Sequence, residues 1–147
     1  MAVAGELVGT ARAGETVDVG LTGVDITALS GGQVICRAGA LIPVARKVRM
    51  RLFTLDALRT PLVEGQQLTA HVRSVEVPCN VTRLIHRLGV NKRTGKRTKT
   101  KRPRFVVGAG VCEVKLRFEK PIPLELYSEH ARLGRLMLRQ GGVTVAA

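Results

Sequence analysis

Between residues 111 and 118, Cys112, Val114, Leu116 and Phe118 alternate with Glu113, Lys115 and Arg117. Successive side chains leave a strand on opposite sides, so a period of two marks a strand with one buried face and one wet face. The pattern recurs over residues 44–52, where Val44, Val48, Met50 and Leu52 share one face and Lys47, Arg49 and Arg51 share the other. No 3.6-residue repeat is sustained anywhere; residues 126–133 offer one short helical turn. These strands cannot be the core of a helical protein.

Other segments fit the same class. Val17, Val19 and Leu21 alternate with Thr16, Asp18 and Gly20, and a short strand is expected at residues 33–36 beyond the Gly31-Gly32 turn. Leu68, Ala70 and Val72 begin a strand whose apolar phase then moves to Val75 and Val77, which predicts a bulge near Arg73 or Ser74. Pro78 interrupts, and a strand follows over residues 81–88. Pro121 and Pro123 restrict the segment around Ile122 to an edge or irregular strand. Leu136 and Leu138 alternate with Arg135, Met137 and Arg139 before Gly141-Gly142 turns into Val143-Thr144-Val145. Short strands with turns at roughly ten-residue spacing indicate an all-β barrel or sandwich.

Charge narrows the function. The chain carries a net +13, and eight of the sixteen residues 89–104 are Lys or Arg with no acid among them. They are Lys92, Arg93, Lys96, Arg97, Lys99, Lys101, Arg102 and Arg104, read as a charged loop held out between strands. Such a loop neutralises phosphates in a salt-sensitive way without reading sequence. The loop carries no aromatic before Phe105, so stacking on unpaired bases is not expected. The plainer reading is a solvated, self-repelling tether, and both hold if the loop orders on ribosomal RNA or on an acidic partner.

Catalysis is excluded by inventory. The sequence has no GxxxxGK[ST] phosphate cradle and no GxSxG elbow, and His71, His86 and His130 have no Cys or carboxylate at triad or metal spacing. Glu113, Glu119, Glu125 and Glu129 read as solvated partners for arginine. Cys36, Cys79 and Cys112 are odd in number, far apart and each among apolar residues, which predicts free thiols and a cytosolic setting. Aromatics make up only 3%, so the core rests on Val, Leu, Ile and Ala. The first residues carry no signal-peptide pattern, and no apolar run reaches the ~18 residues of a membrane span.

The motifs, taken in order, resemble the C-terminal half of a translational GTPase of the elongation factor one-alpha superfamily. They are Gly14-Glu15-Thr16-Val17-x-Val19-x-Leu21-x-Gly23-Val24, Gly32-Gln33-Val34-Ile35-Cys36 and Lys101-Arg102-Pro103-Arg104-Phe105. Lys120-Pro121-Ile122-Pro123-Leu124-Glu125 and Leu133-Gly134-Arg135-Leu136-Met137-Leu138-Arg139 follow. Arg139-Gln140 followed by two glycines looks most like the ribosome-rescue GTPase that partners Pelota; the related branches usually show Arg-Asp there. The resemblance implies an all-β chain: residues 1–38 as the latter part of a domain II β-barrel, and residues 39–147 as domain III, a six-stranded antiparallel barrel. It also implies a fragment truncated at both ends, with GTP and magnesium belonging to a GTPase domain outside it. The implied role is non-catalytic docking of a Pelota-like or release-factor-like protein at the ribosome, as a monomer, without a membrane. The contacts would be the eight loop cations plus Arg135 and Arg139, although Arg102 and Arg104 also fit a structural role pinning the strand that follows. The rivals are the release-factor GTPase, elongation factor one-alpha itself, and a stand-alone basic barrel on ribosomal RNA.

Overall fold

Strands supply nearly all the regular structure. The computed structural model describes residues 2–3, 6–56, 58, 60–90 and 97–147. The chain divides into two compact units, Met1–Ser30 and Gly31–Ala147.

In the first unit, β1 (Ala2–Val3) pairs antiparallel with β2 (Glu6–Leu7), and Ala2 exchanges both backbone hydrogen bonds with Asp18 at 2.8 Å. A 3-10 turn at Ile26–Ala28 is capped by Asp25, whose Oδ1 accepts from the Thr27 amide at 2.9 Å and from its hydroxyl at 2.8 Å. Those bonds hold the Asp25 carboxyl below its ordinary value. The strands expected from Val17, Val19 and Leu21 and over residues 33–36 do not form. An alternating face becomes a strand only when a neighbour takes its amides, and here Asp18 meets a single bridge while Val19, Leu21 and Ile35 stay exposed.

The second unit contains β3 (Val44–Thr54), β4 (Leu62–Val63), β5 (Gln67–Val72), β6 (Val75–Val90), β7 (Arg97–Lys101) and β8 (Phe105–Val106), then β9 (Gly110–Pro123), β10 (Met137–Gln140) and β11 (Val143–Ala146). Six of them close on themselves in the order β5-β10-β11-β3-β9-β6 and back to β5, every pair antiparallel. Closure removes the sheet edges, and β7 adds to β6 outside the ring. The six-stranded antiparallel barrel is therefore as expected.

Alternation sets what fills it. Cys112, Val114, Leu116 and Phe118 on β9 point inward and are essentially solvent-free, as are Leu52 on β3 and Ala70 and Val72 on β5. Each Leu or Val buried this way contributes about 1.5–3 kcal/mol, so the core needs few aromatics. Thr54 is the one buried polar residue among those described; its hydroxyl reaches the Gly108 carbonyl at 2.8 Å and that of Gly110 at 3.2 Å.

Strand β6 changes neighbours along its length, and its backbone groups are answered throughout. Residues up to Asn80 pair with β5, and Val81 exchanges bonds with Gly65 (2.7 Å) and Gln66 (2.9 Å). The Leu84 amide donates to Glu64 Oε1 at 2.9 Å, the Ile85 carbonyl accepts from the Arg102 amide at 2.9 Å, and His86 onward pairs with β7. This corrects two expectations. The phase change at Arg73-Ser74 is a two-residue hairpin turn, with Val72 opposite Val75 and Arg73 at φ +55°, rather than a bulge within one strand. Pro78 does not break the strand, because it pairs with Thr69 on one side and the β9 ladder begins only at Cys79. The Pro121–Pro123 stretch is irregular as expected: β9 slips register against β3 between Ala45 and Lys47. Residues 127–129 and 131–133 make two consecutive turns, each closed by a bond of helical spacing, His130 N–H to the Leu126 carbonyl and Gly134 N–H to the His130 carbonyl, both 2.9 Å, with no longer helix.

Candidate functional site: a cationic barrel wall

The outward positions of β3, β9 and β6 line up in rungs. Arg49 stands opposite Lys115, and Lys115 opposite Arg83, so three cations sit side by side on adjacent strands. In the next rung Arg51 faces Glu113, Glu113 faces His86, and His86 faces Lys101 of β7. Like charges directly opposite on neighbouring strands destabilise a sheet by roughly 0.2–1 kcal/mol each. Around them runs an open depression of about 550 Å³, lined by Arg49, Arg83, Ile85, His86, Lys101, Arg102 and Lys115.

Among the described residues a single carboxylate answers this charge. Glu113 Oε1 accepts a hydrogen bond from Arg49 Nε. That bond first, and then the positive charge of Arg49, His86 and Lys99, holds the Glu113 carboxyl below its ordinary value despite some desolvation. Among the described residues, Arg83, Lys101, Arg102 and Lys115 make no ion pair.

The basic segment is less of a loop than its composition suggests. Residues 86–90 of β6 pair with 97–101 of β7, so much of it is a β-hairpin that continues beyond the last β6–β9 rung at Leu88 and Val111. In Arg97-Thr98-Lys99-Thr100-Lys101 cations alternate with β-branched threonines, which is a strand pattern. Lys92, Arg93 and Lys96 lie outside the described residues, and Arg97 opens β7. Lys99, Lys101, Arg102 and Arg104 are exposed. Arg102 sits at φ +44° with its amide bonded to Ile85, and three residues later β8 begins to pair with β4. Arg102 thus both anchors backbone and lines the depression.

Arg135 and Arg139 are not gathered with these residues. Arg139 is on β10, which lies three places from β9 around the six-strand ring in either direction. Its guanidinium donates to the Gly142 carbonyl in the β10–β11 turn, and its Nε is buried without a partner. Arg135 is turned onto Tyr127, with its guanidinium carbon 5.2 Å from the ring centroid and an N–H donated to the phenol oxygen at 3.1 Å.

Catalytic geometry is lacking among the described residues. His71 has only Glu76 nearby, at 3.4 Å across the β5–β6 hairpin, and no group of three His, Cys, Asp or Glu side chains is placed to hold a metal ion. Burial pushes the thiols of Cys79 and Cys112 up to about 11, which makes them inert small hydrophobes. Cys36 departs from expectation: it is exposed, because the strand meant to bury it does not form.

Residues 47–147 match the family described as GTP-eEF1A C-terminal domain-like. The chain belongs to this family. It is 33% identical over 135 residues to Protein HBS1 of Drosophila melanogaster, which takes in 92% of this chain and 20% of that protein. It is 30% identical over 137 residues to Elongation factor 1-alpha of Pyrobaculum arsenaticum, 93% of this chain and 30% of the other. The chain therefore spans less than a third of the length of these relatives. Sup35 complexed with GMPPNP superposes with a TM-score of 0.72 at 21% identity, over 84% of this chain and 29% of that one, a likeness of fold.

The family barrel thus carries a basic wall that charge along the sequence located only in part. Arg49 and Lys115 were legible as outward strand positions and Arg83 only as part of an expected strand, and the three are 34 and 32 residues apart in sequence (49 to 83, 83 to 115), so only the cross-strand register unites them.

Proposed function

We propose that this chain is the docking region of a ribosome-rescue translational GTPase, holding a Pelota-like protein on stalled ribosomes. On this reading residues 1–38 are the end of domain II and 39–147 are domain III. GTP and its magnesium ion would be held by a GTPase domain elsewhere in a longer protein. The region itself does no chemistry, binds no cofactor, works as a monomer and resides in the cytosol, a setting in keeping with its free thiols.

The observation that carries the reading is the run of exposed cations along β7 and just after it, flanking β6 outside the ring. Lys99 and Lys101 on β7, and Arg102 and Arg104 after it, are exposed and make no ion pair among the described residues. A rigid barrel supplies the platform, and rim charges steer a partner and set its orientation more than they add affinity. Similarity to Protein HBS1 across 92% of the chain, together with Arg139-Gln140-Gly141-Gly142, supports the rescue branch over the release-factor and elongation branches.

Parallel pull-downs with a Pelota-like protein and with the stop-codon-reading factor discriminate the branches. Retention of the Pelota-like protein is expected; retention of the stop-codon reader alone would assign the chain to the release-factor branch.

A further inference from the structure

The ring closes between β11 and β3 over a short seam. Ala146 stands opposite Thr54, Ala147 exchanges both backbone bonds with Phe53 at 2.7 and 3.0 Å, and the Leu55 amide donates to the Val145 carbonyl at 2.9 Å. On its other edge β3 pairs with β9 from Val44 to Thr54. Ahead of Phe53, then, β3 is paired on one side alone. Among the described residues no strand or loop backbone bonds to its second edge between Lys47 and Leu52. Backbone groups of a strand point alternately to its two neighbours. Because Phe53 and Leu55 address β11, the amides and carbonyls of Lys47, Arg49 and Arg51 point to the open edge.

The interior shows the same gap. Leu52, beside the seam, is 0% exposed, whereas Met50 and Val48, the next inward residues of β3, are only half-buried. Unpaired amides beside half-covered core residues make a template for one more strand. Residues directly opposite on antiparallel strands share a face, so the template also selects its occupant. Positions opposite Met50 and Val48 face the interior and suit aliphatic side chains. Those opposite Arg51, Arg49 and Lys47 face solvent and suit carboxylates. Charge turns away a second copy of the same edge, since antiparallel pairing about Arg49 would set Arg49 against Arg49 and Lys47 against Arg51.

We propose that the open edge of β3 from Lys47 to Leu52 takes an extended segment of another protein in which aliphatic and acidic residues alternate. The segment adds as a strand in line with β11, over roughly 20 Å. Main-chain bonds and the covering of Met50 and Val48 hold it, while the outward cations set its register. Such pairing is independent of the docking assigned to the β7 cations.

The test is fluorescence anisotropy of the chain with a labelled, acetylated Val-Glu-Val-Glu-Val-Glu peptide at neutral pH, where saturable one-to-one binding is expected. The same peptide N-methylated at every Glu keeps its charges and side chains but loses the donors that face β3, and should bind at least about tenfold more weakly. Amide exchange of Lys47, Arg49 and Arg51 should slow only when the unmethylated peptide is bound. In the chain, Arg51→Pro removes an edge donor that β9 does not use, and Arg51→Gln removes the same charge while keeping that donor. The Pro variant should bind about fivefold more weakly than the Gln variant, the loss of one ladder bond. If Arg51→Pro does not fold, the methylated peptide decides. The proposal is overturned by a lack of saturable binding, or by equal binding of the methylated peptide or of a Val-Val-Val-Glu-Glu-Glu control. Protection of those three amides by self-association without peptide would overturn it as well, since the edge would then belong to a second copy.

Discussion

Gly134 lies against the backbone of Tyr127: a Cβ on Gly134 would stand 2.6 Å from both the amide nitrogen and the Cα of Tyr127, and 3.0 Å from the Glu125 carbonyl oxygen. These are backbone atoms inside two successive turns, and they cannot rotate away as a side chain would. Gly134→Ala should therefore push the two turns apart at a cost of about 1–3 kcal/mol, which lowers the melting temperature by roughly 4–10 °C. Differential scanning calorimetry reads this directly. The same change should loosen the Arg135–Tyr127 pair, whose two partners flank the close approach.

The thiols separate by environment. Cys36 is exposed, whereas Cys79 and Cys112 face the barrel interior with their pKa pushed up to about 11 by burial. At neutral pH an aromatic disulfide reagent should titrate one thiol in the native chain and three after denaturation. Rapid reaction of all three under native conditions would mean that β6 and β9 open readily.

Glu113 gives the wall a pH dependence of known sign. Its folded pKa lies below the ordinary 4.5, so the stability it adds is present above that value and is lost as pH falls through the folded pKa. Glu113→Gln should melt no more than about 2–4 °C lower than the parent at pH 7, since Glu113 is only half-buried and its partner Arg49 is exposed to solvent screening. The two should converge only once the pH has fallen below that lowered folded pKa, where the parental carboxyl is neutral as well. Melting curves at three pH values suffice. A gap that widened on acidification would reverse the assignment.

The barrel walls were legible because a strand buried on one face writes its own alternation, as Cys112 to Phe118 does beside Glu113, Lys115 and Arg117. Turn chemistry hid the β5–β6 hairpin. Such turns are usually marked by Gly or Asn, and here Arg73 takes the positive φ. Charge hid β7: the run of cations drew the eye from the threonines that alternate with them. Alternation misled at Val17, Val19 and Leu21, where a pattern fit for a strand finds no ladder to join. The wall site was the least legible part. Arg49, Lys115 and Arg83 become one group only through register, which no local pattern encodes.

The docking reading is tested most directly by titration calorimetry of the chain with a Pelota-like protein, using the parent and a Lys99→Gln/Arg104→Gln variant. Both residues are exposed, and neither lines the depression on the barrel wall. A one-to-one complex with a micromolar or tighter Kd is expected for the parent, weakened about tenfold in the variant, which corresponds to about 1.4 kcal/mol. No measurable binding by the parent, or an unchanged Kd in the variant, would contradict the assignment of the hairpin as the docking surface.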